Sequence, residues 1–134
     1  MVDALRRAHR MVKPDGFVLD LHPSVTPASV EVGGTTTGPI VSPDAKRRHA
    51  AAGVALATVI DERLFSVDQA ARFTFYTYAD SIEELREHIE ENWRDSRIED
   101  RTVDLTRAAL RGSRGVRPRS REEVHIARLR PGQL

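Results

Sequence analysis

The sequence predicts an α/β domain, and three observations carry that prediction. A helical pattern, a hard stop, a tight turn and an apolar strand follow one another within residues 4–23. Helix-period and strand-period stretches then alternate along the rest of the chain. The balance of 40% apolar and 31% charged residues is that of a globular chain with a core. In the opening stretch, Leu5, Ala8 and Val12 recur at three- and four-residue spacing and share one helix face. Pro14 cannot continue that helix and pushes Lys13 toward extended geometry. Asp15-Gly16 supplies the turn. Phe17–Leu21 is nearly all apolar, as a strand covered on both faces would be.

Composition narrows the function classes. At 134 residues the chain is one domain's worth and can bury a modest core. Its 21 basic and 20 acidic residues nearly cancel, so bulk charge points to neither nucleic acid nor membrane. Without cysteine it has no disulfide, thiol nucleophile or cysteine-bound metal. No apolar run approaches the ~20 residues that span a bilayer. The N-terminus lacks the apolar core of a signal peptide, so a cytoplasmic location is expected.

The remaining elements follow in order. Ala28–Gly33, with Val30 and Val32 on one face, reads as a short strand, and Pro39-Ile40-Val41 as its hairpin partner. The glycines of Gly33-Gly34-Thr35-Thr36-Thr37-Gly38 fit neither phosphate-loop spacing and are read as a turn. Ser42-Pro43-Asp44 starts a helix running to about Asp61, with Lys46, Arg47 and Arg48 on a solvated face. Leu64–Val67 and Arg72–Tyr78 read as two strands joined by Asp68-Gln69-Ala70-Ala71. Ser81 and Glu84 form a capping box ahead of Ile82, Leu85, Ile89 and Trp93, the clearest apolar helical stripe in the chain. A helix over about 99–111 carries Val103, Thr106 and Leu110, with Gly112 as its C-cap. Residues 112–121 are expected to be a mobile loop, and its arginines, without interleaved aromatics, are not read as a nucleic-acid site. Glu123–Arg130 is the last strand.

The run Arg10-Met11-Val12-Lys13-Pro14-Asp15-Gly16 before Phe17-Val18-Leu19-Asp20-Leu21 resembles the late crossover of class I S-adenosylmethionine-dependent methyltransferases. That family usually has Lys-Pro-Gly-Gly before its fifth strand; here Asp15 replaces the first glycine and Val12 a leucine. The match at motif level covers only the opening 20 or so residues, while the order of elements covers most of the chain. The resemblance implies a partial Rossmann-like sheet of late strands, mixed parallel and antiparallel, with flanking helices, in a single C-terminal domain over 1–134. On that mapping Phe17–Leu21 is the fifth strand, Arg72–Tyr78 the sixth and Val124–Leu129 the seventh, inserted antiparallel between them. The family binds its methyl donor through a glycine-rich loop and an acid in its first half, and both would lie before Met1. No Gly-x-Gly-x-Gly follows any strand here, so no donor-binding residue is assigned. S-adenosylmethionine is expected only if a partner completes the chain.

Four residues are singled out. In open α/β sheets ligands sit beyond the carboxyl ends of strands, which draws attention to Asp20 and His22. His22 has the chemistry of a proton acceptor near neutral pH and is the catalytic candidate. Asp20, Tyr76 and Tyr78 are the substrate-binding candidates, the two tyrosine hydroxyls sharing one strand face. The five histidines lack metal-ligand spacing, so no metal is expected. A bare apolar edge at Phe17–Leu21 invites aggregation. That edge is therefore expected to be covered by a homodimer, a partner chain or the Val30/Ile40 hairpin. Two functions remain open: a methyltransferase-like chain that is not self-sufficient for its donor, and a small α+β ligand-binding or structural module without catalytic activity.

Overall fold

In the computed structural model, residues 1–132 are described. Four helices and five strands run in the order α1 (Val2–Met11), β1 (Val18–Pro23), β2 (Ser29–Val32), β3 (Thr35–Pro39), α2 (Ala45–Asp61), β4 (Phe65–Tyr78), α3 (Ile82–Asn92), α4 (Asp100–Arg111) and β5 (Pro118–Pro131). The sheet order is β1-β5-β2-β3, with β4 also pairing with β5. Every neighbouring pair is antiparallel, so the protein is α+β. This overturns the expected partial Rossmann-like sheet with mixed parallel and antiparallel strands.

The physical reason for the correction lies in β1. Phe17, Leu19 and Leu21 are 50%, 53% and 54% exposed, whereas Asp20 between them is buried. The strand therefore has one covered face, the pattern of an antiparallel sheet, and its apolar run is not a sign of cover on both sides. Contacts divide the chain into two compact units, each with its own core.

The first unit contains residues 1–25, 47–73 and those from Val124 onward. Leu5 of α1, Val59 of α2, Phe65 of β4 and Ala127 and Leu129 of β5 form its buried centre. Ala8, Val12 and Leu56 pack around them, so the helical stripe read from the sequence is the face that docks. Each fully buried Leu, Val or Phe among them contributes roughly 1.5–3 kcal/mol by leaving water. Gly16 closes the turn after α1, its N–H donating to Lys13 O at 2.9 Å. β1 then pairs with β5 from Val18 opposite Leu129 to Pro23 opposite Val124.

The second unit contains residues 26–46 and 74–123. Its core is Val30, Ile40, Ala79, Ile82, Leu85, Ile89, Ile98 and Val103, with Trp93 packed against it. Half of the capping box is present: Glu84 N–H donates to Ser81 Oγ at 3.1 Å, while Glu84 Oε2 accepts from the Asp80 N–H, one residue before the N-cap, at 3.2 Å. The β2–β3 hairpin turns at Gly33, whose φ of 60° suits glycine, and its return strand is Thr35–Pro39 instead of Pro39–Val41. β2 pairs with Pro118–Arg121, which lie in β5 and not in the loop before it. The hairpin therefore builds onto β5, leaving β1 with no strand on its second edge among the described residues.

Leu64 to Tyr78 also differs from the sequence reading. The two expected strands are one, β4, antiparallel to β5 at both of its ends. Gly132 N–H donates to Leu64 O at 2.7 Å, and Ala79 N–H to Pro118 O at 3.1 Å.

Candidate functional site

Asp20 and His22 are two residues apart on β1, and alternation puts both side chains on the covered face. Their separation is 2.8 Å from His22 Nδ1 to Asp20 Oδ2. A carboxylate at this distance accepts the Nδ1 proton, which fixes the ring as the tautomer with its basic lone pair on Nε2. Both side chains are largely covered, Asp20 more than His22. The acid thus orients the imidazole and would hold the charge of an imidazolium.

Two further histidines join this pair. His125 is the cross-strand partner of His22 on β5, and the two rings lie 5.3 Å apart between centroids at an interplanar angle of 33°. His49, in α2, lies 2.9 Å by its Nδ1 from the carbonyl oxygen of Ser24 just beyond β1. A carbonyl only accepts, so His49 also carries its proton on Nδ1 and turns a basic Nε2 elsewhere. Burial holds the His49 imidazole below its usual range. The charges of Arg48 and His22 act the same way, and the Ser24 bond opposes them. Sequence reading missed His49 and His125 because it tested the histidines for metal spacing. Only strand register and helix docking bring them to His22. Among the described residues, no group of three or more His, Cys, Asp or Glu is arranged to hold a metal ion.

Tyr76 and Tyr78 belong to the second unit, where arginines occupy their ring faces. The Arg119 guanidinium lies 3.9 Å from the Tyr76 ring centre and donates to the Tyr78 hydroxyl at 3.0 Å. It also reaches buried Glu31 through Nε at 3.1 Å and Nη2 at 2.9 Å. Arg117 sits 5.3 Å from the Tyr78 ring centre. The sequence foresaw the shared tyrosine face but not its cover, since Arg119 was assigned to a loop. Tyr78 nonetheless stays 48% exposed.

The donor implied by the resemblance finds no cradle among these residues. Gly33 makes the hairpin turn, Gly16 the α1–β1 turn, and Gly38 lies against Thr102. None opens a loop between a strand and a helix N-terminus, the arrangement that receives phosphate or nucleotide groups.

Fold and site together define an α+β protein whose first strand ends in an oriented carboxylate–imidazole pair. Comparison with protein-family models, curated proteins and solved structures finds no match to the chain. No helix among the described residues is long and apolar enough to cross a membrane.

Proposed function

We propose that this chain is the acceptor-side part of a methyltransferase-like assembly, supplying a general base while another segment or polypeptide holds S-adenosylmethionine. The observation that carries the reading is the 2.8 Å Asp20–His22 pair. His22 Nε2 takes a proton from a substrate O–H or N–H as that heteroatom becomes a nucleophile, and Asp20 stabilises the imidazolium until water removes the proton. The opening motif supports the methyl-transfer class.

The experiment has two arms. Calorimetric titration of the chain with S-adenosylmethionine is expected to show no binding, and micromolar binding would refute the division of labour. In the second arm the chain is co-purified with the polypeptide encoded immediately upstream and assayed for methyl transfer. His22→Ala is expected to lower the rate about 10²–10⁴-fold. Equal rates for the two proteins, or no transfer by the complex, would favour a non-catalytic module.

A further inference from the structure

We infer that β4 is a self-complementary edge, through which two copies of the chain join antiparallel about a twofold axis at Ala70. The inference is independent of the methyl-transfer reading. Among the described strands only β5 pairs with β4, so the second edge of β4 is open. Residues 66–73 are all exposed, which leaves both faces of this run uncovered as well as its edge. Val67, Phe73 and Phe75 are the large apolar side chains held in water there. Asp68-Gln69-Ala70-Ala71 has little strand preference of its own, and a single neighbour is thin support for it. Neither proline nor lysine, by which natural edges block pairing, occurs in β4.

The sequence of β4 points to a second copy as the occupant. Counted outward from Ala70 its two halves are complementary: Asp68 answers Arg72, Val67 answers Phe73, Ser66 answers Thr74 and Phe65 answers Phe75. In a twofold antiparallel pair one residue opposes itself, and residues equally far on either side of it oppose each other on one face. Asp68 and Arg72 are therefore directly opposed only when the axis is at Ala70. That register pairs residues 65–75, forms the opposite-charge pair twice and sets Val67 against Phe73 twice. Axes at Asp68 or Arg72 oppose like charges, which is destabilising. Axes at Gln69 and Phe73 leave Asp68 against Ala70 or Tyr78, and Arg72 against Ser66 or Thr74. An axis at Ala71 pairs the slightly longer stretch 65–77, but it forgoes both direct charge pairs and leaves Phe73 against Gln69. Arg128 and Arg130 hold the Asp68 carboxylate by their Nε atoms at 2.7 and 3.3 Å, so its charge is fixed on one face before a partner arrives. The paired stretch is roughly 35 Å long and joins the two sheets into one.

The absence of cysteine makes the register directly testable. The mass of the wild-type chain by light scattering is expected to rise with concentration from 15.0 kDa to twice that value and no further. Under mild oxidation Ala70→Cys is expected to form a covalent dimer, because directly opposed residues have the Cα separation a disulfide needs. Ala71→Cys alone is expected to form none, but to cross-link when mixed with Gln69→Cys. Arg72→Glu and Asp68→Lys each oppose like charges about Ala70. Each is expected to stay folded by circular dichroism and monomeric alone, and the two to form a heterodimer when mixed. A constant 15.0 kDa mass for the wild type, or growth past a dimer, would overturn the proposal. So would cross-linking of Ala71→Cys alone as readily as Ala70→Cys, or wild-type dimerisation by Arg72→Glu.

Discussion

Asp20 is where the chain commits most to a single side-chain contact. It is buried on β1 opposite Ala127, and its carboxylate lies 2.8 Å from His22 Nδ1. A buried ionised group is tolerated only when such partners replace water. Asp20→Ala strands the His22 N–H in a covered site. The expected loss is about 1.5–3 kcal/mol of unfolding free energy, measured by urea titration. Asp20→Asn keeps an acceptor oxygen of similar shape and is expected to lose clearly less. Equal losses for the two variants would mean that the acid contributes packing and not an oriented bond. The candidacy of both residues was legible in the sequence, because alternation alone puts positions 20 and 22 on one face. Their distance and the imidazoles around them were not. His125 is 103 positions beyond His22, and nothing local to either residue encodes the register that joins them.

At the scale of elements, helices were more legible than strands, because a helix carries its own period and caps whereas a strand takes its definition from a neighbour. Ser81 and Glu84 announced α3 unaided: Ser81 Oγ caps the Glu84 N–H as a capping box requires, while the Glu84 carboxylate reaches back to the Asp80 N–H, one residue before the N-cap. Residues 68–71 of β4 have weak strand preference, and only β5 beside them makes the run continuous. Asp68 contributes by bonding Arg128 and Arg130 of that neighbour. Pro118–Arg121 looked like a loop for the same reason: the pairing of Glu31 with Arg119 is not local. β3 and α4 approach each other closely at Gly38. A Cβ added at Gly38 would lie 2.1 Å from Thr102 Oγ1 and 2.8 Å from Thr102 Cβ. Beside it, Thr37 Oγ1 and Thr106 Oγ1 share a buried bond at 2.7 Å, and Thr106 donates to Thr102 O at 2.7 Å. Gly38→Ala is therefore expected to force strand and helix apart and cost about 1–3 kcal/mol, read from the urea midpoint. Adding Thr102→Ala should recover only part, because the Cβ clash remains. Full recovery would show that the hydroxyl alone sets the spacing.

For the molecule as a whole, a formal charge of +1 leaves little general repulsion near pH 7, so local groups shape the pH profile around neutrality. His49 is held by burial below its ordinary value of 6.5. Between the folded and ordinary values the unfolded chain binds more protons, so stability falls as pH drops through that window. One such group gives a slope of at most about 1.4 kcal/mol per pH unit. Glu122 works in the other direction: burial raises its carboxyl above the ordinary 4.5. The native state then binds more protons than the unfolded chain, and stability is lost as pH rises through that window, leaving a cost at neutral pH. Glu62, Asp68 and Glu83 are lowered: hydrogen bonds from Arg6 to Glu62 and from a backbone amide to Glu83 lead, and at Asp68 the bonds from Arg128 and Arg130 outweigh desolvation. Their contribution is present above the ordinary carboxylate range and is lost below it. Urea midpoints across pH 3–8 should therefore rise to a maximum near neutrality. His49→Gln is expected to flatten the limb just below 6.5 while leaving the carboxylate limb in place. Glu122→Gln is expected to raise the midpoint at pH 7 and to have no effect once the wild-type carboxyl is protonated in both states. An unchanged limb in His49→Gln would mean that burial of this imidazole does not shape the pH profile.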